Sequence, residues 1–271
     1  MNRFFICCAS IVLCAQSLSF AGDLTGRNAI VTGGSRGIGE ASVYALAREG
    51  ANVAIIANNS IEDAEELVKK IKDYGVDAFA YRCDVSNPVE VNRMVDEVVK
   101  RWKSVDILVN NAGVSVCKPA EELTYEDWHR IIDVNLTGVF LCAQAAGKRM
   151  IEQGTGGSII NISSMCGHIV VTPQKSCHYH ASKGGVGMLT KSLAVEWAEY
   201  GIRVNAISPG YIKTKMIEPG REFFPSWIER TPMKTIGDPE DIAEAVVYFA
   251  GNKSKFATGT DLIIDGGYSC P

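Results

Sequence analysis

Residues 164–183, SMCGHIVVTPQKSCHYHASK, bring together side chains that suit two different chemistries. One set consists of soft metal ligands: Cys166, His168, Cys177, His178 and His180. The other set is Ser164, Tyr179 and Lys183, residue types that move a proton to or from an oxygen. The spacing within each set, and the elements that must position it, decide between zinc binding and proton transfer.

Tyr179 and Lys183 stand four residues apart, which places both side chains on one face of a helix. An isolated tyrosine titrates near a pH of about 10, too high for an efficient base at neutral pH. A lysine one turn later brings a positive charge that favours the phenolate and lowers the tyrosine pKa. The spacing therefore predicts Tyr179 as an acid/base and Lys183 as its activator.

The zinc interpretation requires ligands that converge on the corners of a tetrahedron. Cys177 and His178 are adjacent, and His178 and His180 flank Tyr179 where a helix should begin, so their side chains diverge. No second pair of cysteines with C-x-x-C spacing accompanies them. We expect no metal site, and we expect the histidines to line a substrate pocket or its rim.

The composition of the 271 residues is typical of a globular protein, with 46% hydrophobic and 21% charged residues. The net charge of −4 is spread along the chain, and no basic block predicts binding to nucleic acid. Six of the nine cysteines are scattered after residue 22, and we expect these to be mainly reduced, small hydrophobic residues.

Residues 1–22 form a separate N-terminal segment. A positive start, the apolar run FFICCASIVLCA and Ser19-Phe20-Ala21 have the layout of a secretory signal peptide, too short to span a bilayer comfortably. A mis-set start codon is the alternative, because the folded part begins near Asp23. Residues 23–271 are predicted to form one domain.

Short apolar runs alternate with segments of helical period from residue 28 onward, which predicts a doubly wound, seven-stranded parallel sheet in an α/β domain. Each run is apolar along its whole length, as strands buried on both faces should be. The predicted strands are 28–33, 52–57, 77–82, 106–110, 157–163, 202–208 and 261–265.

Two of the intervening segments, 60–74 and 87–102, show a clear helical period. Ser60 followed by Asp63 predicts a capping box at the start of the first, and Gly75 predicts its end. A third segment, residues 213–236, breaks the alternation with several prolines and aromatic residues, and we expect it to act as a substrate lid.

A glycine-rich turn, TGGSRGIG at 32–39, joins the first strand to the first helix. Gly33 permits a tight turn, Gly37 lets the backbone approach a pyrophosphate, and Gly39 lets the helix pack against the sheet. The N-terminus of the following helix offers free N–H groups to phosphates. This turn therefore predicts a dinucleotide-binding site.

The T-G-x-x-x-G-x-G spacing of this turn, together with seven later motifs, resembles the short-chain dehydrogenase/reductase family over residues 24–271. The later motifs are Asp84 in CDVS, NNAG at 110–113, Asn135 in VNLTG, Ser164 in ISSMCG, Tyr179-x-x-x-Lys183, SPGYIKT at 208–214 and IDGGY at 264–268. The resemblance implies a Rossmann fold, a nicotinamide cofactor and, commonly in this family, a homotetramer.

The resemblance also implies roles for individual residues. Tyr179 would act as acid/base, Lys183 would lower its pKa and hold the nicotinamide ribose, Ser164 would orient the substrate oxygen, and Asn135 would position a water in the proton relay. The expected cofactor contacts are Gly33, Ser35, Arg36, Gly37, Ile38, Gly39, Asn58, Asn59, Ser60, Asp84, Val85, Asn111, Ala112, Gly113, Tyr179, Lys183, Pro209, Gly210, Ile212 and Thr214.

The end of the second strand favours NADP(H) over NAD(H). An acidic residue there would bind the ribose hydroxyls and repel a 2′-phosphate, but Asn58, Asn59 and Ser60 are neutral. Arg36 can reach the same region, and a guanidinium suits a phosphate. Because NADPH is a cytosolic metabolite, a cytoplasmic location is favoured, although the signal-like N-terminus leaves export open.

The segment between Ser164 and Tyr179 is longer than is usual in the family and resembles the branch that includes mannitol 2-dehydrogenases and sorbose reductases. We therefore expect interconversion of a carbonyl and a secondary alcohol, on a ketose and its polyol. Two alternatives are a 3-oxoacyl-thioester reductase and a nucleotide-sensing scaffold without turnover. The presence of Asn135, Ser164, Tyr179 and Lys183 argues against the scaffold.

Overall fold

The seven predicted strands form one all-parallel sheet in a computed structural model that describes residues 22–270. Across the sheet the strand order is β3-β2-β1-β4-β5-β6-β7, so the direction of winding reverses between β1 and β4. The strands are β1 (Asn28–Thr32), β2 (Asn52–Ala57), β3 (Ala78–Arg82), β4 (Ile107–Asn110), β5 (Gly157–Ile162), β6 (Ile202–Pro209) and β7 (Asp261–Ile264). The predicted doubly wound α/β fold is confirmed, and every predicted strand end lies within one residue of the observed one.

Helices cover both faces of this sheet. α1, α2 and α8 pack on one face, and α3, α5 and α6 pack on the other. The eight helices described are α1 (Gly37–Arg48), α2 (Ile61–Ile71), α3 (Pro88–Trp102), α4 (Tyr125–Ile132), α5 (Gly138–Gln153), α6 (Cys177–Trp197), α7 (Phe224–Arg230) and α8 (Pro239–Ala250).

Alternation along β1, a strand inside the sheet, explains why the strands are apolar throughout. In β1, Ala29 and Val31 belong to the core on the α1 side, whereas Ile30 belongs to the core on the α3 side. All three side chains are fully buried. In a strand with one face in solvent, apolar and polar residues alternate. A strand covered on both faces has no solvent side, so apolar residues can occupy every position.

The predicted capping box at the start of α2 is wrong. Ser60 does precede the helix, but its side chain makes no capping hydrogen bond. Its hydroxyl is instead 2.7 Å from the hydroxyl of Ser35 in the glycine-rich turn. A tertiary partner has replaced the local one, because the turn brings Ser35 to the end of β2.

The expected N-terminal leader, apart from its last residue, lies outside the described residues. Between residues 22 and 270, no helix combines the length and the apolar character that crossing a membrane requires.

Each of the six cysteines in this range is a free thiol. Cys83 and Cys142 are buried as expected, but Cys117, Cys177 and Cys270 are exposed.

Candidate active site

The glycine-rich turn is too tight for side chains at two of its glycines. Gly37 has a φ of +56°, in the left-handed region that favours glycine. A Cβ on Gly39 would lie 2.2 Å from the carbonyl oxygen of Gly33, which belongs to the backbone and cannot swing aside. The first turn of α1 follows immediately, with N–H groups that have no partner within the helix. This cradle fits the pyrophosphate of a dinucleotide.

Side chains from β2 and β4 hold the turn in place. The Ser35–Ser60 contact ties it to the end of β2. From the end of β4, Asn111 donates its side-chain N–H groups to the carbonyl oxygens of Thr32 and Gly33, at 3.0 and 2.9 Å. The hydroxyl of Thr32, the first residue of the turn, also accepts the backbone N–H of Asn111 at 3.0 Å. The predicted nucleotide residues on three strands thus share one network.

At the outer side of the turn, Arg36, Asn58 and Asn59 are exposed and Ser60 is half-buried. The Ser35–Ser60 contact places the end of β2 beside the turn that carries Arg36. The residues directly after β2 include no carboxylate. The rim therefore offers a guanidinium and neutral donors to a ribose or to its phosphate.

The other predicted cofactor residues lie at the carboxyl ends of their strands. Asp84 accepts hydrogen bonds from the Ser86 backbone and hydroxyl, at 2.9 and 2.7 Å, so its carboxylate shapes the turn after β3. Thr214 reaches the glycine-rich turn, since a Cβ on Gly37 would lie 3.0 Å from its Cγ2. Ala112 donates its backbone N–H to the Thr32 hydroxyl, and Val85 is buried. Ile38, Asn111, Gly113, Pro209, Gly210, Ile212 and Thr214 line one cavity.

That cavity, of about 640 Å³, also contains Ser164, Tyr179 and Lys183. Ser164 stands directly after β5, at the start of a short 3₁₀ helix, and its hydroxyl accepts the Cys166 N–H at 3.1 Å. Lys183, one turn after Tyr179 on α6, donates from Nζ to the Ile162 carbonyl oxygen at 2.8 Å. Its Nζ lies 5.7 Å from the centre of the Tyr179 ring. The predicted residues thus converge next to the nucleotide cradle.

Burial controls the ionisation of this pair. It raises the pKa of Tyr179 well above its ordinary value, and a hydrogen bond from Ser164 opposes the shift only partly. It lowers the pKa of Lys183 to about 8. The lowering of the Tyr179 pKa by Lys183 that the spacing predicts opposes this effect of burial, and it remains a prediction.

Asn135 lies in a five-residue π-helical turn, Asp133–Thr137, between α4 and α5, and it is fully buried. Its side-chain oxygen accepts the Val114 N–H at 2.8 Å, and its nitrogen donates to the Val114 carbonyl at 2.9 Å. A further contact of 3.3 Å reaches the hydroxyl of Ser182 on α6. Asn135 thus fastens the loop after β4 to the helix that carries Tyr179 and Lys183.

His168, His178 and His180 do not line the cavity, so the first part of the expectation for them is wrong, and a place on the rim stays a prediction. His168 Nε2 lies 2.9 Å from Asp261 Oδ2, so it ties the chain after Ser164 to β7. His180 Nε2 accepts the Val171 N–H at 3.2 Å. Both ring nitrogens of the buried His178 have no hydrogen-bond partner among the described residues. No cluster of three or more His, Cys, Asp or Glu residues suited to a metal ion occurs within residues 22–270.

The cavity also has an aromatic wall that the sequence indicated only in part. Tyr211 and Trp227 stack with ring centres 4.0 Å apart and planes inclined by 6°. Trp227 belongs to the segment 213–236, hereafter the cover segment, whose residues 216–223 also line the cavity in part. Gln174 and the loop 115–117 also line the cavity, and sequence reasoning did not assign them. Only the position of that loop after the NNAG motif at the end of β4 could have indicated its role.

A glycine cradle for a dinucleotide, joined to a tyrosine–lysine pair and a serine in one cavity, defines an NAD(P)-dependent dehydrogenase or reductase that acts on a small molecule. A family model described as enoyl-(acyl carrier protein) reductase matches residues 33–269. The chain belongs to the short-chain dehydrogenase/reductase family. It is an enzyme of the oxidoreductase class.

Curated relatives match nearly the whole chain. The chain is similar to the sorbose reductase of Candida albicans, with 42% identity over 92% of this chain and 89% of that protein. A probable NADP-dependent mannitol dehydrogenase of Yarrowia lipolytica is 39% identical over 92% of this chain and 90% of the relative. A 3-oxoacyl-[acyl-carrier-protein] reductase of Staphylococcus aureus is 41% identical over 89% and 97%. These relatives act on different substrates, so similarity establishes the class of reaction and not the substrate.

Solved structures show the same fold. A short-chain type dehydrogenase/reductase from Mycobacterium marinum matches with a TM-score of 0.90 and 42% identity, over 92% of this chain and 98% of that one. A gluconate 5-dehydrogenase from Burkholderia cenocepacia, in complex with NADP and tartrate, matches with a TM-score of 0.86 and 36% identity, over 92% and 97%.

Proposed function

We propose that the protein is an NADP(H)-dependent oxidoreductase that interconverts a ketose and its polyol. The observation that supports this most is the cavity, in which Ser164 and Tyr179 face a space also lined by the polar groups of Gln174 and Tyr211. A substrate with hydroxyl groups beside its carbonyl finds hydrogen-bond partners there besides the catalytic ones. The similarity to sorbose reductase and mannitol dehydrogenase agrees with this substrate class.

The chemistry divides between cofactor and protein. A bound nicotinamide supplies hydride transfer at the carbonyl carbon. In the reducing direction, the Tyr179 hydroxyl gives its proton to the carbonyl oxygen, and the Ser164 hydroxyl holds that oxygen in place. Because Tyr179 keeps its proton at neutral pH, it is ready to act as an acid. The Lys183 ammonium, whose Nζ lies 5.7 Å from the centre of the Tyr179 ring, favours the phenolate that remains. In the oxidising direction the phenolate form of Tyr179 accepts the proton of the alcohol while the hydride leaves the carbon for the nicotinamide.

Asn135 contributes in this proposal by its position. By holding Val114 against Ser182 on α6, it fixes the distance between the loop after β4 and the Tyr179–Lys183 turn. We retain the proton relay that the family resemblance implies for it as part of the proposal.

Carbonyl reduction itself is tested by NADPH oxidation with fructose, sorbose, xylulose and an acetoacetyl thioester. The 3-oxoacyl-thioester reductase remains the second candidate, because the Staphylococcus aureus relative is 41% identical. Turnover of a ketose with little thioester turnover supports the proposal, whereas the reverse preference selects the second candidate. No oxidation with any carbonyl, despite NADPH binding, contradicts both.

The role of Tyr179 is tested by Tyr179→Phe, with the exposed Tyr200→Phe as the matched control. We expect Tyr179→Phe to lose at least about 10²-fold in turnover, the usual contribution of a general acid, with NADPH affinity retained. The control should behave as the unaltered enzyme. Substantial turnover in Tyr179→Phe contradicts the assignment.

NADP(H) preference is proposed from Arg36, Asn58 and Asn59 at the rim beside the Ser35–Ser60 contact. Asn58→Asp places a carboxylate where a 2′-phosphate would lie, so like charges should repel NADPH and leave NADH binding intact. Fluorescence titration with both nucleotides measures the ratio of affinities. If that ratio does not move toward NADH, the basis of the preference is wrong.

Several apolar side chains are exposed along α4, α5 and α6, and we propose that a homotetramer covers them, which light scattering tests directly. The exposed side chains are Tyr125, Trp128, Phe140, Met188 and Val195.

We propose that the cover segment acts as a substrate lid. We also propose that the enzyme acts in the cytoplasm, where NADPH is available. Mass spectrometry of the mature N-terminus tests whether residues 1–22 are retained.

A further inference from the structure

Gln174 occupies an unusual place among the residues that line the cavity. It belongs to the irregular segment between Ser164 and Tyr179, yet its side chain reaches the aromatic wall formed by Tyr211 and Trp227. No role follows for it from the tyrosine–lysine chemistry or from the nucleotide cradle.

Neighbouring groups determine how the Gln174 amide is oriented. With its oxygen toward the wall, it accepts from the Trp227 indole Nε1 at 3.0 Å and from the Tyr211 hydroxyl at 2.9 Å. Its nitrogen then donates to the Thr172 carbonyl oxygen at 3.3 Å. The opposite orientation sets the oxygen against acceptors and the nitrogen against donors. One amide therefore connects the segment between the catalytic residues to β6 and to the cover segment.

Trp227 is the centre around which the cover segment packs. It is only 2% exposed, and the rings of Phe223 and Phe224 lie 6.1 and 5.2 Å from it. A Cβ on Gly220 would lie 2.9 Å from its indole, so the 3₁₀ helix before α7 also fits closely against it. Because these contacts are apolar, the hydrogen bond to Gln174 is what fixes the indole relative to the catalytic segment.

The same contact sets the direction of a hydroxyl. Once Tyr211 donates its hydrogen to Gln174, its oxygen can still accept a hydrogen bond, either from the buried hydroxyl of Tyr268, whose ring centre lies 5.3 Å away, or from a group inside the cavity. Burial raises the pKa of Tyr211, so the hydroxyl stays protonated and this arrangement persists at neutral pH. Gln174 also keeps a second amide hydrogen beyond the one given to Thr172. A substrate hydroxyl thus finds both an acceptor and a donor on this wall.

We propose that Gln174 is a specificity-determining residue, which positions Tyr211 and Trp227 so that the cavity selects carbonyl substrates bearing hydroxyl groups over those without. The inference rests on the proposed carbonyl reduction. It names the feature of the substrate, its hydroxyl groups, that the aromatic wall recognises. Arg230 supports it from the cover segment by donating to the Thr172 carbonyl oxygen at 3.1 Å.

The central variant is Gln174→Met, which keeps the length of the side chain and removes both polar atoms. KM for fructose should rise about ten-fold, the usual effect of losing a buried hydrogen-bond partner, with kcat little changed. KM for 2-hexanone, which has no hydroxyl group, should stay within about two-fold. The matched control is Gln144→Met on α5, which should change neither value.

A second measurement does not depend on turnover. Loss of the indole hydrogen bond should shift the tryptophan emission of Gln174→Met, and the shift should vanish when Trp227→Phe is added. Gln174→Glu retains oxygens that accept from Trp227 and Tyr211, so its emission should match that of the unaltered protein.

These results separate the inference from the proposed function. If no carbonyl is reduced, the proposed function fails, whereas an emission shift confined to Trp227 still supports the contact. If ketoses are reduced but Gln174→Met raises KM for fructose and 2-hexanone equally, the selectivity role is overturned. An unchanged emission in Gln174→Met overturns the positioning contact itself.

Discussion

Lys183 should be a source of instability in the folded protein, and Lys183→Met should therefore stabilise it at neutral pH. The side chain is 5% exposed, and burial lowers its pKa from the ordinary 10.5 to about 8. At about 1.4 kcal/mol per pKa unit, holding this lysine charged in the fold costs about 3 kcal/mol. Methionine removes that cost but also the hydrogen bond to the Ile162 carbonyl, worth about 1 kcal/mol. We expect a net gain of about 2 kcal/mol in the free energy of unfolding at pH 7.

The pH dependence identifies the cause. Below pH 8 the lysine is protonated in both the folded and the unfolded state, so the full cost is present. Between pH 8 and 10.5 the unfolded state binds more protons than the folded state, and the stability contributed by this group rises with pH. The advantage of Lys183→Met over the unaltered protein should thus shrink as pH rises, to about zero near pH 10.

Urea unfolding at pH 7 and at pH 10 measures both quantities. Lys191→Met is the matched control, because Lys191 lies on the same helix with its side chain in solvent, and its effect should be small at both values of pH. A Lys183→Met protein that is no more stable at pH 7, or whose advantage does not change with pH, would refute the reasoning.

Three further substitutions test other parts of the structure. Gly39→Ala drives a Cβ to 2.2 Å from the Gly33 carbonyl oxygen, so stability should fall by about 1–3 kcal/mol in urea unfolding and NADPH affinity should fall in titration. His178→Leu removes a buried imidazole that has no hydrogen-bond partner in the described part of the chain, and it should add about 1 kcal/mol in urea unfolding. Burial lowers the pKa of His178, so the folded state loses stability as pH falls below 6.5, and this gain should be larger at pH 5.5 than at pH 8. Gly167→Ala would put a Cβ 2.9 Å from the backbone oxygen of Lys183, and kcat should fall about ten-fold in steady-state assays, with an unchanged kcat refuting that reasoning.

The sheet could be predicted from the sequence because its signal is local. A strand covered on both faces is a short apolar run, and helices with one buried face separate such runs. The same logic located Ser164, Tyr179 and the glycine-rich turn, since they follow strands or begin helices. These positions depend on the order of elements along the chain, which the sequence displays directly.

The roles of Ser60, His168 and Gln174 could not be predicted from the sequence, because they depend on contacts between segments far apart along the chain. Ser60 looked like a helix cap but bonds Ser35, and His168 looked like a ligand or a pocket residue but bonds Asp261. Gln174 lies in a segment without periodicity, and only the approach of Tyr211 and Trp227 gives it a role. The ionisation of Tyr179 and Lys183 likewise follows from burial that spacing alone does not specify.

The pairing of β1 with β4 has a consequence for how the chain folds as it is synthesised. Ala29 pairs with Ile107, so the centre of the sheet cannot close until β4 has left the ribosome. By then β1, β2 and β3 and the glycine-rich turn have all emerged, and Asn111 follows at once to fasten that turn. The glycine-rich turn and the strands that hold it can therefore assemble before Ser164, Tyr179 and Lys183 have been made. A nascent chain stalled after α3 would lack the central strand, whereas one stalled after α5 would already contain a complete nucleotide cradle.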